Sequence, residues 1–142
     1  KNIPFHVEFV LQRNKLLFSE AIPMSFGAFS LSDLPFFAFN INPYRYYFRD
    51  TSPEWKETLE RSEDKINFWV LSDLGQKAPA GAEADHDEYI ETFEDLMGYC
   101  KLSLNRYTAF SVAFGRADSL EEIVKYANFD FASYVNVKNE EK

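Results

Sequence analysis

Two stretches of this 142-residue sequence carry side chains whose types and spacing could do chemistry. In the first, Asp85-His86-Asp87-Glu88 is followed by Glu91, Glu94 and Asp95, a run of carboxylates around one histidine. Such a set can ligate a metal, run acid–base hydrolysis with paired carboxylates, or capture a basic partner. Neighbouring residues on a helix point about 100° apart, so Asp85 to Glu88 cannot all converge on one ion. Nothing around the carboxylates marks a pocket, which leaves hydrolysis without support. Glu88, Glu91 and Asp95, at steps of three and four, form a helical stripe with Asp87 and Glu94 beside it, and like charges stacked in this way repel. The helix dipole offsets only the first turn, so Glu94 and Asp95 stay uncompensated. That residual cost favours partner binding through Asp85, Asp87, Glu88, Glu91, Glu94 and Asp95.

In the second stretch, Tyr44-Arg45-Tyr46-Tyr47-Phe48-Arg49, rings interleave with basic groups, the composition of a single-strand nucleic-acid platform. Strand alternation splits it, placing Tyr44, Tyr46 and Phe48 on one side and Arg45, Tyr47 and Arg49 on the other. Arginines shielding an aromatic sheet face account for that pattern, and the acidic balance of the chain opposes nucleic acid.

The remaining reactive groups are few. His6 falls on the polar face of a predicted strand with no partner for base catalysis. Carboxylate neighbours can raise the pKa of His86. Cys100, the only cysteine, falls on the apolar face of a predicted helix, where burial would raise its pKa and leave it inert. It excludes an intramolecular disulfide and favours a reducing, cytoplasmic setting, although a start at Lys1 also suits a chain whose signal peptide has been removed. There is no Walker A sequence, dinucleotide glycine fingerprint, nucleophile elbow or calcium loop. The expectation is a non-enzymatic protein with no cofactor and no metal.

The elements that must position these groups follow from composition and period. With 46% apolar and 27% charged residues and no long apolar run, the sequence predicts a soluble chain without a membrane span. Its length predicts one domain, 1–142. Fifteen Phe, eight Tyr and two Trp predict a ring-filled core centred on a sheet. The net charge of −8 is unevenly spread: Asp50 to Asp64 carries −4, Glu83 to Asp95 −7 and Asp118 to Glu122 −3.

Period-two spacing at Phe5, Val7, Phe9 and Leu11 predicts a half-buried strand, returned through Arg13-Asn14-Lys15 by Leu16-Leu17-Phe18 as a hairpin. Ile22 to Leu34 reads as an irregular strand and loop. Pro35 to Ile41 and Tyr44 to Arg49 read as strands paired across Asn42-Pro43. Thr51 or Ser52 is placed to cap a helix with Trp55 and Leu59 facing inward. Lys65 to Leu71 reads as a central strand covered on both faces. Gly75 to Ala84 is a flexible loop and the sole internal linker candidate. Asp85 to about Leu102 reads as one helix, with Tyr89, Ile90, Phe93, Leu96, Met97 and Cys100 inward. Arg106 to Phe114 reads as a strand broken by Gly115-Arg116-Ala117. Asp118 or Ser119 caps a helix whose buried stripe is Leu120, Ile123, Val124 and Ala127. Phe129 to Val137 reads as a last strand.

The fold class is therefore α+β, a mainly antiparallel sheet with about three helices packed on one face. The predicted function is that of an acidic inhibitor or immunity-type protein that engages a basic protein, such as a nucleic-acid-processing enzyme. The alternative is a small-molecule cup, or an enzyme built on one, lined by aromatic rings.

Overall fold

The computed structural model describes residues 5–13, 15–23, 30–60 and 65–137. The chain has the α+β class, and every strand pairing among the described residues is antiparallel. Among the described residues the strands form three small sheets of two, three and two strands instead of one sheet. Contacts gather in two compact units, Lys1–Glu63 and Asp64–Lys142, so the boundary lies ahead of Gly75 to Ala84.

The first unit opens with a hairpin of β1 (Phe5–Gln12) and β2 (Lys15–Pro23), as predicted. Arg13 takes φ +48°, the left-handed geometry that tight hairpin turns require. A bulge after Glu8 shifts the register, and Phe9 meets Phe18 edge to face at 6.1 Å. Val7 and Phe9 are exposed, so this strand is not half-buried as expected. The side chains of Phe5 and Leu11 lie outside the described residues, as does residues 24–29 of the predicted irregular segment.

The predicted strand pair around Asn42-Pro43 is instead two helices, α1 (Leu34–Phe39) and α2 (Pro43–Arg49). Aromatic content suggested strands, but the punctuation is helical. Pro35 and Pro43 sit in first turns, where the missing N–H is no loss. Asn42 caps α2 by accepting a hydrogen bond from the Arg45 N–H at 3.2 Å. At the other end Asp50 adopts φ +52°, and the N–H groups of Asp50 and Thr51 donate to the carbonyls of Tyr47 and Tyr46, a Schellman close. A further helix is present as α3 (Trp55–Glu60), but it begins two residues after Pro53, so neither Thr51 nor Ser52 is its cap, and Trp55 is 52% exposed and does not face inward. The Leu59 side chain lies outside the described residues.

The second unit is built on a three-stranded sheet ordered β3 (Ile66–Asp73), β6 (Ala109–Ala117), β5 (Leu96–Lys101). The predicted strand near Lys65 to Leu71 is present, but at the edge. The centre belongs to β6, whose residues Ala109 to Gly115 are all buried. Small residues at Ala109, Ser111, Ala113 and Gly115 let β6 be covered on both faces. Gly115 does not break the strand: a Cβ there would lie 2.6 Å from Phe68 Cζ, so the bare backbone is what admits the Phe68 ring.

The predicted helix from Asp85 to Leu102 is also corrected. Only α4 (His86–Ile90) is helical, Thr92 to Asp95 turns, and Leu96 onward is β5. Glu88, Glu91 and Asp95 would repel on one helix face, and the Thr92 hydroxyl donates back to the Tyr89 carbonyl at 2.7 Å as the helix ends. Gly98 disfavours helix, while Tyr99 and Cys100 pair with Ala113 and Val112 of β6. Part of the predicted loop pairs too, as β4 (Ala82–Ala84) against β7 (Val135–Val137). The predicted last strand is a 3-10 turn over Phe131–Tyr134 followed by short β7.

Helix α5 (Leu120–Ala127) starts where the capping box predicted. Ser119 Oγ accepts from the Glu122 N–H, and Glu122 Oε2 accepts from the Asp118 N–H. Its buried side is Tyr126, with Ile123 half-buried; Leu120 and Val124 are 53% and 55% exposed, contrary to the predicted stripe. The core is a ring cluster. Phe68 stacks on Tyr126 at 5.2 Å, Tyr126 on Phe93 at 4.8 Å, and Phe93 meets Tyr89 edge to face.

Candidate functional site

The turn from β4 through α4 to β5 rearranges the six acidic residues. Asp85 is the helix cap: its Oδ1 accepts from the Glu88 N–H at 3.0 Å, and its own N–H donates to the Tyr134 carbonyl at 2.7 Å. Asp87, Glu88 and Glu91 are exposed on α4 and at its end, and none has an ion-pair partner among the described residues. Glu94 is exposed in the turn and lies 4.0 Å from Lys125, a contact between two solvated side chains that contributes little.

Asp95 departs most from the predicted stripe. Its carboxylate accepts from Lys65 Nζ at 3.1 Å and from Arg116 Nη2 at 3.2 Å, while Arg116 Nε lies 3.1 Å from Oδ2. It joins β3 and β6 to the turn before β5 and is not free for a partner. The Lys65 hydrogen bond chiefly holds its pKa below the ordinary 3.8, with Arg116 adding to the effect and desolvation opposing it. A lowered pKa means that Asp95 contributes stability present above pH 3.8 and lost as the pH falls through the folded value. Asp95→Asn is therefore expected to unfold at lower denaturant than the wild type near neutrality, with the gap closing below pH 3.8. Urea titrations at stepped pH measure this; a gap constant with pH would exclude the ion-pair account.

His86 takes a position that sequence reading did not anticipate. Its Nδ1 lies 2.8 Å from the Tyr99 hydroxyl, and its ring meets Tyr99 and Phe110 edge to face. It lines two open clefts of about 330 Å³ each. One is bounded by Glu83, Asp85, Asp87, Lys101 and Asn136, the other by Ala82 to Ala84 and Leu102 to Asn105. Burial, and then the Lys101 charge, push the His86 pKa down, outweighing Asp87 and Asp85. The shift favours the neutral imidazole, opposite to the rise expected from its carboxylate neighbours. Tyr99, Lys101 and Asn136 were missed because Tyr99 and Lys101 were read into a helix, and no local signal brings β7 beside β4.

Neither cleft is lined by a Phe or Tyr ring. In this unit the rings pack on each other. Tyr89 is fully buried and meets Phe110, Phe129, Phe131 and Tyr134 edge to face. Cys100 is half-buried on β5 and not on a helix. Among the described residues no three His, Cys, Asp or Glu side chains converge to hold a metal ion. No helix among them is long and apolar enough to cross a membrane. No protein-family model, curated protein or solved structure matches this chain.

Proposed function

We propose that the chain is a non-enzymatic binding protein whose second unit engages a basic surface of a protein partner through Asp87, Glu88, Glu91 and Glu94. One observation carries this reading: Asp87, Glu88 and Glu91 are exposed without ion-pair partners on a short helix anchored by the buried Tyr89. Mutual repulsion costs the free protein some stability, and a basic partner would relieve it. The anchoring lowers the entropy lost on binding, because the carboxylates are presented from backbone already fixed by the core. Asp85 and Asp95 support the surface from beneath, by capping and by ion pairing. An inhibitor that occupies the basic groove of a nucleic-acid enzyme would use such a surface.

The test is affinity capture from the source cell with wild type and with the charge-reversed triple variant Asp87→Lys/Glu88→Lys/Glu91→Lys, followed by titration of the purified partner. The wild-type complex should weaken steeply with salt, and the variant should lose affinity about tenfold or more, mainly through slower association. Equal affinity of variant and wild type would remove the proposal. Asp95 is left out of the variant because its loss would perturb the fold itself.

A further inference from the structure

Because Tyr44 to Arg49 is helical, its side chains are arranged differently from the strand alternation expected of them. On a strand the rings and guanidinium groups separate; on a helix, Tyr44 and Phe48 form one i,i+4 pair and Arg45 and Arg49 another. All four fall within an arc of about 140°. Phe48 is 79% exposed and Tyr44 40%, and both arginines are exposed. Neither arginine has an ion-pair partner among the described residues, and Leu34 to Arg49 contains no acidic residue. The acidic balance that opposed nucleic acid belongs mainly to the second unit. Lys1 to Glu63 holds seven basic and eight acidic residues, Asp64 to Lys142 eight and fifteen.

From this we infer that the exposed face of α2 is a docking surface for single-stranded nucleic acid. Arg45 and Arg49 would take phosphates one helical turn apart, and Tyr44 and Phe48 would offer ring faces to bases. Positive charge on this face complements the phosphodiester backbone, and base stacking on rings tolerates any sequence. The surface is pre-formed: the Asn42 cap and the Schellman close fix the helix, and the Tyr44 hydroxyl hydrogen-bonds Ser32 Oγ at 2.8 Å. A bilayer is a poorer fit, because interfacial helices set an apolar face opposite a basic one, whereas here rings and arginines share one face of seven residues.

The experiment is fluorescence anisotropy of a labelled oligothymidylate of about 15 nucleotides, titrated with the full chain at several salt concentrations. Saturable, salt-sensitive binding is expected. Arg45→Gln/Arg49→Gln should weaken it about tenfold or more at low salt and flatten the log–log salt slope by about 1.4. Phe48→Ala should weaken binding with the slope unchanged. All three positions are exposed, so each variant is expected to keep its fold, which circular dichroism checks. The inference is overturned if no saturable binding occurs, or if neither variant changes it. Equal competition by polyglutamate would reduce the effect to plain electrostatics, and retention on anionic vesicles but not on the oligonucleotide would reassign the face to lipid; either result overturns it.

Discussion

Tyr89→Ala is expected to destabilise the second unit by about 3–5 kcal/mol. The ring is wholly buried and stands at the centre of the cluster, in edge-to-face contact with Phe93, Phe110 and Tyr134 at 5.0–5.1 Å. Removing it opens a cavity among rings that cannot collapse without breaking their own geometry. The hydroxyl contributes in the opposite sense. It is buried without a hydrogen bond of good geometry; Ser72, which lies close enough to restrain its pKa, bonds Ser111 at 2.7 Å, and burial pushes the pKa up to about 12. An unpaired buried hydroxyl is a desolvation cost, so Tyr89→Phe should be neutral or stabilising by about 1 kcal/mol. Tyr126→Phe should instead destabilise, because that hydroxyl donates to Glu122 Oε1 at 3.0 Å and accepts from the Glu94 N–H at 3.2 Å. Urea unfolding followed by near-ultraviolet circular dichroism separates the three variants. A Tyr89→Phe variant less stable than wild type would show that the hydroxyl is satisfied in solution.

Gly115→Ala is the second large effect, at about 2–3 kcal/mol. The added Cβ would stand 2.6 Å from Phe68 Cζ and 3.1 Å from the Asp95 carbonyl oxygen. Neither neighbour can yield easily. Phe68 is held by its stack on Tyr126, and the Asp95 carbonyl accepts from the Arg116 N–H at 2.9 Å. The variant should lose more than about 8 °C in Tm. Shortening the opposing ring, as in Phe68→Leu, should recover part of that loss in the double variant, although Phe68→Leu alone is destabilising. A strictly additive double variant would mean that the clash is not with Phe68.

Both predictions rest on positions whose importance was only partly visible beforehand. Tyr89 and Phe93 are four residues apart and both point inward as expected, Tyr89 from α4 and Phe93 from the turn three residues beyond its end. Gly115 was misread as a strand breaker, since a glycine that ends a strand and one that admits a ring look alike without the partner strand. The acidic site shows the same division. Glu83 to Asp95 was legible as the most negative segment, and Asp87, Glu88, Glu91 and Glu94 remain exposed. Which carboxylates are free was not legible: Asp95 meets Lys65 and Arg116, thirty and twenty-one residues away in sequence.

The α+β class, the first hairpin, the capping box at Ser119, the strand near Ile66 and the location of the negative charge are all legible in the order of the residues. These depend on local period, turn chemistry and counting. Tertiary structure decided that Leu96 to Lys101 is a strand, because pairing with β6 supplies its hydrogen bonds and outweighs a helical apolar spacing. It also placed β6 at the centre and set the half-buried His86 beside Tyr99. On α2 the decisive contacts are local, the Asn42 cap and the closing turn at Asp50. Aromatic strand propensity hid them, and with them the face that joins Arg45 and Arg49 to Tyr44 and Phe48.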